Sequence, residues 1–149
     1  KLKNNTGDDL TFNKIQLDVH NALTKEGGEH TSVWSSGYTV NYDVSTGVVT
    51  PSGTTAGNSN SVLNLSKDVT LAQEATSDYF YFVMLAPLYF QTREISGKNS
   101  TFTVYLFDHK GDVTATSDLS GEPAVATTSF TYNIDIKPGE IVEGTLEMK

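Results

Sequence analysis

The side chains best suited to acid–base or metal chemistry are three histidines, His20, His30 and His109, in a chain with no cysteine. None has the HxH or HExxH spacing that brings two imidazoles onto one metal. All three fall at expected strand ends or turns and are read as solvated loop side chains. Asp108 and Asp112 flank a tight turn, DHKGD, and Asp8-Asp9 forms a second acidic pair. Carboxylates on a turn can hold Ca²⁺, but an EF-hand needs oxygens at alternate positions, which this spacing lacks. Turn formation by Asp side chains accounts for both pairs without a metal. Serine and threonine are plentiful, yet none sits in GxSxG or SxxK. Paired carboxylates for glycoside hydrolysis meet in space and leave no linear signature. The expectation is therefore a protein that is not an enzyme, with no catalytic residues, no bound metal and no cofactor.

Aromatic residues offer a different chemistry. Trp34, Tyr38, Tyr42, Tyr89 and Tyr105 would make a sugar-stacking platform if aligned on one sheet face. Tyr38 and Tyr42 alternate with polar residues, which places them in a core. Trp34, in the polar run Thr31–Gly37, is the aromatic expected at the surface. Asn4-Asn5-Thr6, Asn64-Leu65-Ser66 and Asn99-Ser100-Thr101 match the N-glycosylation pattern, but such triplets arise readily in a chain this rich in Asn, Ser and Thr.

The elements that must position these residues read as strands. The chain has 149 residues and a formal net charge of −8. That length suits one domain with a sizeable core. The acidic balance repels phosphate backbones and argues against a nucleic-acid partner. No run of about 20 apolar residues is present, so no membrane span is expected. No signal peptide opens the sequence, and its abrupt start is read as that of a mature, processed or truncated chain. Long helical periods are absent, while Thr, Ser, Gly, Asn and Asp are abundant. This mix favours an all-β fold with polar loops.

The most apolar stretch is Asp78–Gln91, DYFYFVMLAPLYFQ. It reads as a central strand buried on both faces, ended by Pro87. Thr101–Asp108 is a second strong strand, apolar on both faces and expected beside Tyr79–Leu85. Tyr38, Val40, Tyr42 and Val44 alternate with polar residues as a half-buried strand, and Val48–Thr50 is a short return. In Leu10–Val19 the apolar parity changes between Phe12 and Ile15, which predicts a bulge. Pro51–Ser61 reads as a surface loop, Val62–Leu65 and Val69–Leu71 as short strands, and Gln73–Ser77 as a helical turn. Thr127–Ile136 and Ile141–Met148 read as a hairpin closed by Lys137-Pro138-Gly139-Glu140, in which Gly139 supplies a positive φ. The sum is a two-sheet β-sandwich of the transthyretin-like or Greek-key type with about seven to nine strands. Residues 1–9 form a flexible lead-in or exchange segment, and residues 10–149 form the single domain.

Two stretches carry a resemblance. One is Val83–Gln91 followed by Thr101–Asp108; the other is Phe130–Lys149, FTYNIDIKPGEIVEGTLEMK. Both resemble the C-terminal domain of the fimbrillin family, the subunits of type V pili, and Leu10–Leu23 resembles the opening strand of such a domain. The likeness covers most of the chain in order through short motifs. Three departures stand out. Fimbrillins usually hold two tandem sandwiches where this chain holds about one. Their proline is directly followed by glutamine, where Pro87 and Gln91 lie apart. Their maturation arginine lies near the opening strand, where Arg93 is the only arginine here.

The resemblance implies an extracellular protein of the bacterial cell surface, a fimbrial subunit or accessory adhesin that assembles head to tail by β-strand exchange. Its partners would be other pilus subunits or copies of itself, with a host or glycan ligand as a further partner. The donor candidate is Ile141–Met148, with Ile141, Val142, Leu146 and Met148 as its apolar side chains. Lys1–Thr11 is the second candidate. The alternative is a secreted carbohydrate-binding sandwich module that uses Trp34.

Overall fold

A computed structural model of the chain describes residues 1–20, 22–26, 29–32, 36–56, 60–82, 89–92, 101–131, 135–136 and 139–149. The order is β1 (Leu2–Asn4), β2 (Leu10–His20), β3 (Ala22–Glu26), β4 (Glu29–Ser32), β5 (Ser36–Tyr42), β6 (Val49–Ala56), β7 (Asn60–Leu71), β8 (Tyr89–Thr92), β9 (Thr101–Phe107), β10 (Ala126–Thr131), β11 (Asp135–Ile136) and β12 (Leu146–Met148). A 3-10 turn, Thr116–Leu119, is the one helical element among the described residues. The fold is an all-β sandwich. A six-stranded sheet runs β10-β9-β2-β7-β5-β6, a two-stranded sheet pairs β1 with β12, and a four-stranded sheet runs β11-β8-β3-β4. Against the expected seven to nine strands, the described residues form twelve, several only two to four residues long.

β2 is the hub of the large sheet, flanked by β7 and β9. Its register shifts between Phe12 and Lys14, the bulge that the change of parity predicts. The bulge leaves Asn13 free to tie three segments. Its Nδ2 donates to Asp68 Oδ1 at 3.1 Å and to Asp108 Oδ1 at 3.4 Å, and its Oδ1 accepts from the His109 N–H at 3.0 Å. Beyond the bulge the side chains alternate cleanly. Ile15 and Leu17 meet Leu106 and Val104 of β9, and Ile15 also meets Leu63 of β7. These join Phe12, Tyr42 and Leu65 in one buried cluster, which Leu2 and Met148 complete from the two-stranded sheet. The opposite face carries Lys14, Gln16 and Asp18, and a smaller cluster of Val62, Phe107, Val113 and Leu119. Burial of both faces explains why β9 is apolar on both, as the sequence implied.

Several expectations are corrected. Asp78–Phe82 pairs in no ladder among the described residues; the central strand is β2. Phe80 and Phe82 pack against the main core while Tyr79 and Tyr81 turn outward, so the segment lies over the sheet rather than inside it. Its aromatics contact the core edge-on: the rings of Phe80 and Phe12 meet at 6.3 Å with a 66° angle. Residues 83–88 lie outside the described set. β9 pairs with β2 and β10, not with Tyr79–Leu85. The loop expected over Pro51–Ser61 holds strand up to Ala56, because β6 continues past Pro51 at a sheet edge, where a missing N–H costs no ladder bond. Val62–Leu65 and Val69–Leu71 are parts of one strand, β7. Gln73–Ser77 forms no helix; Glu74 adopts φ 63° and Thr76 bridges to Lys3.

The terminal hairpin is also corrected. β10 pairs with β9, β11 pairs with β8, and β12 runs parallel to β1. Gly139 does take the expected positive φ, 83°. Ile141–Thr145 joins no ladder among the described residues. Residues 1–9 are no flexible lead-in: Leu2 and Asn4 are buried.

Candidate assembly site

The site is built from β12 and the surface that receives it. β12 pairs with β1 through three register partners, Leu2 with Leu146, Lys3 with Glu147 and Asn4 with Met148. The Leu146 N–H donates to the Lys1 carbonyl at 2.9 Å, and the Asn5 N–H donates to the Met148 carbonyl at 2.9 Å. In a parallel pair, alternate residues of a strand point their N–H and C=O groups toward one neighbour. Leu146 and Met148 therefore face β1, and Glu147 faces away. Among the described residues no backbone hydrogen bond reaches Glu147 from that side, so β12 is an open edge. β1 has no such freedom. Its other side is held by Asn4 N–H to the Ala75 carbonyl, Glu74 N–H to the Asn4 carbonyl and Ser77 N–H to the Leu2 carbonyl, all at 2.8–2.9 Å.

The side chains divide in the same way. Met148 is 0% exposed and Leu146 packs partly buried against the core. Ile141 is 73% and Val142 48% exposed. Of the four expected anchor residues, the structure thus brings two to the core and leaves two at the surface, before the strand begins. Among the described residues this segment is held by the Tyr81 hydroxyl, which donates to Glu143 Oε1 at 2.8 Å, and by the N-terminal ammonium, which donates to the Gly144 carbonyl at 2.8 Å. The first bond, with the Glu143 charge beside it, raises the Tyr81 phenol above its ordinary value.

The described side chains of the expected aromatic platform, Tyr38, Tyr42 and Tyr105, pack inward. Tyr42 is in the core, its hydroxyl donating to the Tyr79 carbonyl at 3.3 Å, and burial raises its pKa. Tyr38 packs partly buried against the same cluster and Tyr105 against the smaller one. Trp34 lies outside the described residues, and Tyr89 is placed only as the first residue of β8. Among the described residues the aromatic that reaches solvent is Tyr81, 42% exposed and stacked on Tyr79 with centroids 5.7 Å apart. Sequence reading missed this pair because it lay inside the stretch taken as fully buried.

Among the described residues no group of three or more His, Asp or Glu suited to an ion occurs. His109 lies 3.7 Å from Glu122. Asn64 and Asn4 are buried with their carboxamides hydrogen-bonded, which removes both as glycan acceptors. No helix among the described residues is long and apolar enough to cross a membrane.

Comparison with protein-family models, with curated proteins and with solved structures finds no match for this chain. The fold and the terminal-strand site therefore define the protein's class on their own, as an all-β sandwich whose last strand is an outer one.

Proposed function

We propose that this chain is a structural protein of the bacterial cell surface, similar to a fimbrial subunit or accessory adhesin, that assembles by exchange of its C-terminal strand. One observation carries the reading: β12 is a three-residue outer strand on three register pairs, yet it inserts a fully buried side chain, Met148. A strand with so short a ladder and so deep an anchor can leave its own domain and dock in the same place on another copy. Main-chain bonds then supply affinity, and the alternate side chains Leu146 and Met148 supply the fit. Head-to-tail repetition of that step gives an open filament. The exposed Ile141 and Val142 extend the donor beyond the ladder that it makes in its own domain.

The absence of cysteine allows a direct test. Lys3→Cys and Glu147→Cys stand opposite each other in the register. Oxidation of the double variant during assembly traps an intermolecular disulfide if β12 acts between copies. Light scattering coupled to size-exclusion chromatography, with and without Ile141–Lys149, reports the same event. Only intramolecular disulfide at every concentration, with a strictly monomeric protein, overturns the reading.

A second reading, a carbohydrate-binding module, rests on the exposed Tyr81 ring beside the Glu143 carboxylate. An aromatic face takes the apolar side of a pyranose, and a carboxylate accepts from its hydroxyls. Glycan-array binding lost in Tyr81→Ala supports it; an array that shows no binding to the wild type removes it.

A further inference from the structure

We propose that Lys14 and Asn64 are joined by an intramolecular isopeptide bond between the lysine Nζ and the asparagine Cγ. This inference is independent of strand exchange. The two residues are register partners on β2 and β7, the neighbouring strands at the centre of the six-stranded sheet. Directly opposed residues of an antiparallel pair carry their Cβ atoms about 4.5–5.5 Å apart on one face. A lysine stem folded toward its partner spans that gap. Lys14 is 4% and Asn64 3% exposed, and the register partner of Lys14 on its other side is the buried Phe107.

The asparagine is held as an electrophile. Its Oδ1 accepts from the Val113 N–H at 2.9 Å, and its Nδ2 donates to the Val113 carbonyl at 2.7 Å and to Ser52 Oγ at 3.2 Å. The Val113 N–H polarises the carboxamide and remains in place for the negative oxygen that forms on attack. Among the described residues the Lys14 amine makes no ion pair and no hydrogen bond; its stem is buried while the nitrogen keeps contact with solvent. Burial lowers its pKa, opposed by the charges of Asp112, then Asp68 and Asp108. Asp112 immediately precedes the residue that clamps Asn64, and its charge is the strongest of those acting on the Lys14 amine.

The step balances without an oxidant or a cofactor. The unprotonated Lys14 amine attacks Cγ of Asn64, forming the Nζ–Cγ bond and an oxyanion held by the Val113 N–H. Asp112 takes a proton from Nζ and delivers it to Nδ2. The Cγ–Nδ2 bond then breaks and ammonia leaves. The product is a secondary amide that crosslinks β2 to β7 beside their hydrogen-bond ladder. A chain without cysteine would thereby gain a covalent brace that reductants cannot open.

The test is the intact mass of the purified full chain under denaturing conditions. The expected mass is lower than the sequence mass by one ammonia, with a branched proteolytic peptide that contains both Lys14 and Asn64. Lys14→Arg and Asn64→Ala each restore the mass calculated for their sequence. Asp112→Ala, at an exposed turn position, leaves most of the chain uncrosslinked. A wild-type mass equal to the sequence mass overturns the proposal. So does a deficit that persists in Lys14→Arg, since succinimide formation at an asparagine loses the same molecule. A deficit undiminished in Asp112→Ala overturns the assigned proton transfer.

Discussion

Asn4 and Met148 stand opposite each other in the parallel ladder, and both are wholly buried. The polar member is satisfied by other means. Asn4 Nδ2 donates to the Asp8 carbonyl at 2.7 Å and to the Leu71 carbonyl at 2.9 Å, while its Oδ1 accepts from the Thr6 N–H and hydroxyl. The pair thus fixes the terminal strand through one apolar plug and fixes its receiving strand through one polar knot.

Met148→Ala removes the plug. A buried methionine truncated to alanine costs about 2–5 kcal/mol, depending on how far the site collapses. Urea denaturation should show a lower midpoint with an unchanged slope. If β12 is exchanged between copies, the same variant assembles more weakly while its residual domain still folds.

Asn4→Ala undoes the knot. The Leu71 carbonyl loses a buried donor, and a buried group left unsatisfied costs about 1–3 kcal/mol. The loss should appear in thermal denaturation and persist at high salt, because no ion pair is involved. A variant as stable as wild type would mean that solvent reaches the Leu71 carbonyl.

Acid should weaken the fold through two turn carboxylates. The Ala115 and Thr114 N–H groups hold Asp118 below the usual carboxylate value, and the Ser45 and Thr46 N–H groups do the same for Asp43. A carboxyl whose pKa is depressed on folding stabilises the native state above its unfolded pKa. That contribution is lost as pH falls through the folded value. Denaturation midpoints measured from about neutral to about pH 2 should therefore decline below the ordinary carboxylate range. In Asp118→Asn the decline should be shallower, from a lower plateau at neutral pH.

Tyr81→Phe removes the hydroxyl that donates to Glu143. Both groups are at the surface, so the global unfolding midpoint should not move. Amide exchange and proteolytic nicking at Ile141–Gly144 should become faster. Unchanged exchange there would show that the segment is held by other contacts.

Much of the large sheet was legible in the sequence because its strands alternate cleanly over several residues. Tyr38–Tyr42 and Phe102–Phe107 gave β5 and β9, and the parity change from Phe12 to Ile15 gave the bulge in β2. Asp78–Phe82 misled because apolar density reports burial, and burial can be achieved by lying across a sheet as well as within it. β7 was split in two because Ser66, Lys67 and Asp68 are exposed where its register with β2 shifts, before Val69 and Leu71 return to the core. For the site, alternation identified Leu146 and Met148. It did not identify their partner, since Leu2–Asn4 is too short to show a period and lies at the far end of the sequence. Lys14 and Asn64 carry no linear motif; only the register of β2 and β7 brings them together.

The parallel pairing of β1 and β12 also sets an order of events in folding. It joins segments separated by almost the whole chain, so its closure entropy exceeds that of hairpins such as β5–β6, although the cost grows only logarithmically with length. Its return is three residue pairs, so little is gained until the core that Met148 enters already exists. The six-stranded sheet can therefore consolidate first, leaving a nearly finished domain whose flank awaits a strand. In that interval the strand of a neighbour competes on equal chemical terms with the chain's own, and local concentration decides the outcome.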